Sequence, residues 1–393
     1  MNNQINYGLM KQGFVTNMPG QLNSFNNLLV GTGKTYTIAE QSSLLESAKP
    51  IFWDAKGAEC CDSKNDADQC RVYKVLYTGC QNAEGEEILG LFTFSSKRGR
   101  FEGVKWGTYN SFQQSISLRC SYYWLGDLAF ESRKQLCTFL SDLADIAIPE
   151  PWDNTSESKT GGFDFLRSHI EHMFAKLRKE QASGEKDKIL ISGDGRHILW
   201  NTNLPSRYGQ DILLCADVMK KPSGDEYFTS IRVITNGIRE LRALGFSGNV
   251  SPKTASFFKD ANDVVYHPDW KVDIDSNFRK LRHVVEDNRA RFPKFYQTKA
   301  TVYVARCLTN AIALSCTLAK RDYRFIVPMY SSTHDEISFL MPLYLGGQIK
   351  KTPDLAVILS ADNGYYIPET VIGMREAYMD ARLITRPSES WIR

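Results

Sequence analysis

Several features that would announce a function are missing from this sequence. No run approaches the roughly eighteen consecutive apolar residues of a membrane-spanning helix, so none is expected and no membrane partner is assigned. The opening MNNQINYGLMKQGF lacks the continuous apolar core of a secretory signal, which makes a cytoplasmic location the expectation. A charge excess of one sign is lacking too: 48 Lys and Arg against 45 Asp and Glu leave a net charge of +3. A nucleic-acid partner would have to be gripped by a local basic patch. The chain carries nine cysteines, but they lack the closely paired spacing of a structural zinc site. Cys120, Cys137, Cys215, Cys307 and Cys316 lie in hydrophobic segments and read as small core residues. Cys60, Cys61, Cys70 and Cys80 cluster, and are read as unligated thiols of a reducing compartment.

Two catalytic signatures are incomplete. LLVGTGKTYTIAEQ (28–41) ends like a phosphate-binding Gly-x-x-x-x-Gly-Lys-Thr loop, with Gly33, Lys34 and Thr35 in place. The first glycine, which the backbone bend requires, is replaced by Leu28. The segment is therefore read as a turn between two strands, because TYTIAE is rich in strand formers. His334, Asp335 and Glu336 follow Ser331-Ser332-Thr333, but adjacent residues do not form a hydrolase triad and no Gly-x-Ser-x-Gly elbow exists. A polar hairpin loop is the reading. His169 and His172 sit three apart on a helix and have no evident third ligand, so they read as boundary packing.

With 393 residues the chain has room for two domains. To about residue 120, RVYKVLYTG, EILGLFTFSS and FEGVKWGTY cluster β-formers between Gly and Asn, and predict a β-rich N-terminal domain (1–120). There Phe92, Phe94, Phe101 and Trp106 interleave with Lys97, Arg98, Arg100 and Lys105, a pattern found on single-strand-binding barrels and also on ordinary hairpins. From Ser132 onward helical spacing appears in SRKQLCTFLSDLADIAI, FDFLRSHIEHMFAKLRKEQ, SNFRKLRHVVEDNRARF, TVYVARCLTNAIALSCTLAKR and MREAYMDARLI. KILISGDGRHILWNTNL reads as a hairpin about Gly-Asp-Gly, and DILLCADV, YFTSIRVIT, RFIVPMY, ISFLMPLYL and LAVILS read as strands. Helices and strands mix without a βαβ rhythm, so the fold class is α+β, with a mixed α+β C-terminal domain over 121–393 and a largely antiparallel sheet.

One polar segment stands out. NTNLPSRYGQD (201–211) follows a strand and gathers Asn201, Thr202, Asn203, Arg207, Tyr208, Gln210 and Asp211, the residue types that grip polar ligands on loops.

The order of DLADIAIPEPWD, FAKLRKE, ILWNTNLPSRYGQDI, HVVEDNRARFP, KRDYRFIVPMY, FLMPLYL with DLAVIL, and AYMDARLITRPSESWI resembles the bacterial domain of unknown function 3825 family over about residues 121–393. That family is found beside cold-shock and LOTUS-type RNA-binding modules. The resemblance therefore implies an RNA-linked role by association, and no mechanism. Its matching polar positions are Asn201, Thr202, Tyr208, Asp211, Glu286, Asp287, Asn288, Tyr330, Tyr378 and Arg382. Asn203 stands where the family more often has glycine.

The leading expectation is a protein that binds RNA or single-stranded nucleic acid. Arg196, Arg207 and Arg382 would contact phosphates, Asn201 and Asp211 would bond sugar or base, and Tyr330 would stack a base. No cofactor is assigned. The alternative is an enzyme of phosphodiester chemistry on a nucleotide or RNA end, with Asp211 and Glu286 or Asp287 holding a divalent metal. A protein–protein interaction scaffold is the third reading.

Overall fold

The structure, a computed structural model, describes residues 8–10, 13–15, 18–47, 49–54, 72–95, 100–120, 122–152, 163–221, 224–235, 237–247, 251–273, 284–332, 334–384 and 391–392. Cys60, Cys61, Cys70, Lys97 and Arg98 lie outside these residues. The chain divides into two compact units. One comprises 1–138 with 216–231, the other 139–215 with 232–393. The first unit thus runs past the expected boundary at 120 and takes back a later piece of chain.

The first unit opens with strands β1 (Gly8–Met10) and β2 (Gly13–Val15) and helices α1 (Met18–Leu28) and α2 (Ile38–Ser47). Strands β3 (Lys49–Asp54), β4 (Val72–Gln81), β5 (Glu87–Ser95) and β6 (Arg100–Gly107) follow, then helix α3 (Tyr109–Cys120). They form a sheet in the order β1-β2-β6-β5-β4-β3. Successive side chains on a strand point to opposite faces. Accordingly Tyr73, Val75, Leu89 and Leu91 pack with Phe112 of α3, while Leu76, Phe92 and Val104 pack with Leu45 of α2. Of the expected aromatic surface, Phe92 is core, and Trp106 packs edge-on against Phe25 at 4.7 Å. Short strands β7 (Tyr123–Leu125) and β8 (Leu128–Phe130) pair with each other, and Glu226–Val233 runs parallel to β8. Helix α4 (Arg133–Ile146) carries the chain onward.

The loop at 29–33 corrects the sequence reading. It joins two helices, not two strands, and Gly31 and Gly33 both take left-handed φ values of 89° and 72°. Thr37 and Glu40 form a capping box, the Thr37 N–H donating to Glu40 Oε2 at 2.8 Å and the Glu40 N–H to Thr37 Oγ1 at 3.3 Å. That cap starts α2 immediately after the β-branched stretch.

The second unit contains α5 (Asp164–Ala182), β9 (Ile189–Ile191), β10 (His197–Pro205) and the start of β11 (Asp211–Lys220), which continues into the first unit. The returning strand Glu226–Val233 is β12; α6 (Gly237–Ala243) and β13 (Lys271–Val272) come next. After α7 (Lys294–Gln297) and α8 (Thr301–Ala319) come β14 (Val327–Ser331), β15 (Glu336–Leu343), β16 (Leu355–Asp362), β17 (Tyr365–Ile372) and α9 (Met374–Arg382). The sheet order β13-β17-β16-β15-β14 is antiparallel but for β13 on β17. The unit is α+β, as the pattern of elements predicts.

Both faces of this sheet are covered, which explains why ISFLMPLYL is continuously apolar rather than alternating. Phe339, Met341, Val357 and Tyr366 meet Val304, Leu308 and Ile312 of α8. Leu340, Ala356 and Ile372 face the other way, toward Ala377, Tyr378 and Ala381 of α9 and toward Phe165 of α5. By length and composition α8 is apolar enough to cross a membrane, where the sequence reading expects no such helix; here its inner face packs on the sheet.

Candidate functional site

Helix α5 supplies one edge of the site. His169, Lys176 and Glu180 fall on one stripe at helical spacing and all three reach neighbouring chain. The His169 Nε2–H donates to the Thr202 carbonyl at 2.9 Å. A carbonyl only accepts, so the imidazole proton sits on Nε2, and Nδ1 carries a lone pair. Burial, and secondarily the Arg382 charge, lower the His169 pKa to about 3 and keep the ring neutral. His172 uses Nδ1 on Ser168 instead, so the two histidines do not converge.

Glu180 and Lys188, both nearly inaccessible, pair at 2.8 Å. They fix the segment that begins at residue 251. Lys188 Nζ donates to the Thr254 carbonyl at 2.8 Å, and the Ser256 N–H donates to Glu180 Oε1 at 2.9 Å. Asn203 clasps the residue between: its Nδ2 donates to the Ala255 carbonyl and its Oδ1 accepts the Ala255 N–H at 3.0 Å. Asn203 has φ 57°, in the left-handed region that glycine enters freely and asparagine tolerates.

The segment so fastened presents Phe257 and Phe258, the latter 44% exposed. A capping box between Asp260 and Asp263 fixes its far end. On one side lies a pocket of about 480 Å³ walled by Phe257, Phe258, Lys259, His267, Trp270 and Tyr366. His267 and Trp270 stack there at 4.7 Å. On the other side is a cavity of about 340 Å³, lined by His169, Asn203, Ser256, Arg382 and the same two phenylalanines.

Most of the expected site residues lie elsewhere or serve the fold. Arg382 is buried and grips Glu150 with Nε and Nη2, both at 2.6 Å, with its guanidinium over the Trp152 ring at 5.6 Å. The expected phosphate contact is thus replaced by an internal ion pair. Tyr330 is buried; its ring meets Phe257 edge-on at 4.9 Å, and its hydroxyl donates to Asp335. As placed, neither face is open to a base. Asp335 also pairs with Lys176 at 2.7 Å and Lys179 at 2.9 Å. The His334 loop therefore does structural pairing, although His334 Nδ1 does meet Ser331 Oγ at 3.2 Å.

The polar segment 201–211 is divided by the fold. Asn201 and Thr202 are interior residues of β10, Asn201 accepting the Asn203 N–H at 2.9 Å and Thr202 donating to the Ile212 carbonyl at 2.9 Å. Arg207, Tyr208 and Asp211 are exposed about the following turn, with Tyr208 90% exposed. Arg196 is exposed at the opposite end of β10 beside Asp194. For a nine-residue strand that separates Arg196 from Arg207 by on the order of 30 Å. Glu286 and Asp287 are exposed on a helical turn. Among the described residues no group of three or more His, Cys, Asp or Glu is gathered to hold a metal ion.

Sequence reasoning missed Glu150, Lys188, Phe257, Phe258 and Trp270. Only Glu180 left a trace: it continues the buried stripe of α5, where a carboxylate needs a partner. No curated protein and no solved structure matches the chain. The family model of a domain of unknown function (DUF3825) matches residues 143–391, which carry the whole of this site, and the chain belongs to that family.

Proposed function

We propose that the second unit binds single-stranded nucleic acid, of the RNA class, at the Phe257–Phe258 ridge. The observation that carries this reading is a half-exposed phenylalanine on a segment fastened from behind, at the rim of an aromatic pocket that also holds Trp270, His267 and Lys259. Recognition of unpaired bases uses such platforms: rings stack the base face, and nearby cations meet the phosphates. Lys259 supplies a cation at the pocket, and Arg207 with Tyr208 offers a second contact on an exposed turn. Rigid presentation favours binding because little side-chain and loop order remains to be lost.

The test is fluorescence anisotropy of a labelled single-stranded RNA with the full chain. Phe258→Ala is expected to weaken binding by about 1–3 kcal/mol, the usual effect of removing one stacking ring. Arg207→Ala is expected to weaken it less and to reduce its salt dependence. Undiminished binding in Phe258→Ala removes the ridge from the interface, and no binding by the wild-type chain removes the reading.

A further inference from the structure

We infer that a base entering the aromatic pocket stacks on the imidazole of His267, the outer end of a row of four rings, and that His267 is a second stacking platform beside Phe258. The inference rests on the nucleic-acid reading above and adds to it a base-contacting residue and the elements that position it.

The row begins in the core and ends at the pocket. Tyr266 and Tyr366, 3% and 0% exposed, stack at 4.6 Å with 18° between their planes. Trp270 follows on Tyr366 at 5.3 Å and 37°, and His267 on Trp270 at 4.7 Å and 25°. Trp270 is the one ring that His267 meets among the described residues.

The chain makes the outer pair locally. His267-Pro268-Asp269-Trp270 is a turn closed by the Trp270 N–H on the His267 carbonyl at 3.1 Å. Proline at its second position supplies the φ such a turn requires. The turn is tied to the sheet twice. The His267 N–H donates to the Tyr366 hydroxyl at 2.8 Å, and the following residues Lys271 and Val272 pair with Tyr365 and Tyr366 of β17. Phe339 meets the Tyr366 ring edge-on at 5.5 Å. The imidazole is thus presented by its backbone and by the ring beneath it.

Two observations separate this ring from one that only fills space. It is partly exposed and lines the pocket of about 480 Å³ together with Phe258 and Trp270. Neither ring nitrogen has a hydrogen bond among the described residues, and neither is sealed from solvent. A histidine that serves the interior spends a nitrogen on a partner, as His169 does on Thr202. A ring held in place and reached by solvent offers a face to any unpaired base, because every base has a π-face of its own. Its fixed position leaves little order to be lost when the base arrives.

The experiment titrates the full chain with a labelled single-stranded RNA by fluorescence anisotropy, comparing wild type with His267→Gln, His267→Ala and His267→Phe. The first two delete the ring, and His267→Gln keeps hydrogen-bonding groups; His267→Phe keeps a ring and deletes the nitrogens. Stacking predicts that both ring deletions weaken binding on the order of tenfold and that His267→Phe binds nearly as wild type does. A second readout reports contact directly. The chain has six histidines, so the His267 imidazole proton signal is identified by its loss in His267→Gln. A base stacked on that ring moves the signal upfield when RNA is added to wild type. An unmoved signal at saturating RNA overturns the inference, and so does equal weakening by His267→Phe and His267→Gln, or tolerance of His267→Gln alone. If Phe258→Ala weakens binding while all three His267 variants bind like wild type, the inference falls and the nucleic-acid reading stands. No binding by the wild-type chain overturns that reading itself.

Discussion

Arg382 is where a binding role and an architectural role predict different experiments. Its guanidinium and the Glu150 carboxylate, with side chains 11% and 7% exposed, form a two-pronged contact that ties α9 to the chain just before Trp152. Deleting one partner leaves the other charge buried and unanswered, which typically costs about 3–5 kcal/mol. Glu150→Gln keeps the shape and one acceptor, so its cost falls at the lower end of that range. Arg382→Met also forfeits the contact over Trp152, worth about 0.5–2 kcal/mol. Replacing both, as Glu150→Leu with Arg382→Met, removes the uncompensated charge and recovers most of the loss. The assay is urea unfolding by tryptophan fluorescence, joined to hydrogen exchange of the peptide spanning 374–382. Expected are large, non-additive single losses, with exchange of α9 accelerated in both single variants. Single costs below about 1 kcal/mol that simply add would refute the reasoning, because a pair held by solvent-exposed geometry behaves that way.

Three further outcomes follow from the geometry. His169 titrates at about 3 in the folded chain against about 6.5 unfolded, so its contribution is complete above about 6.5 and declines as pH falls from there toward 3; urea unfolding at stepped pH should lose up to about 1.4 kcal/mol per unit, and His169→Gln should flatten that slope. For Asp335, burial raises the pKa but Lys176, Lys179 and Tyr330 outweigh it and hold the carboxyl well below the usual range; its stabilisation is full above about 4 and lost below, and Asp335→Asn, which tolerates the residue's φ of 59°, should cost about 1–3 kcal/mol at neutral pH and abolish that acid limb. In the first unit, a Cβ on Gly90 would sit 2.9 Å from the Trp106 ring, so Gly90→Ala should destabilise by about 1–3 kcal/mol, read as a lower melting temperature, unless the indole shifts freely.

How much of this was legible depended on whether the signal was local. The hairpin about Gly193-Asp194-Gly195, the helices α5 and α8 and the strands from β14 to β16 follow from periodicity and turn residues alone. Strands β7 and β8 are three residues each, too short to alternate visibly, and β17 carries a mid-strand proline, Pro368, that argues against a strand. Helix α2 was hidden by Tyr36, Thr37 and Ile38, although the Thr37–Glu40 cap was present in the sequence. The site was read least well, because its logic is partner choice across long separations. Nothing near Arg382 in the sequence points to Glu150, and nothing near Asn203 points to Ala255. Residue types that suit a ligand suit an internal partner equally, and burial decides between them. Arg382, Asn201 and Tyr330 went inward, and Arg196, Arg207 and Asp211 stayed outside.

The return of residues 216–231 to the first unit has a consequence for how the chain is made and cut. During synthesis the strand that pairs with β8 emerges only after α5, β9, β10 and β11, so the first unit waits, incomplete, while much of its neighbour is already out. No single scission separates the two. A fragment begun at the family boundary at 143 carries a strand whose proper neighbour has been left behind, with an unpaired edge open to other chains. Insolubility of such a fragment would report that orphaned edge rather than any defect of the site it contains.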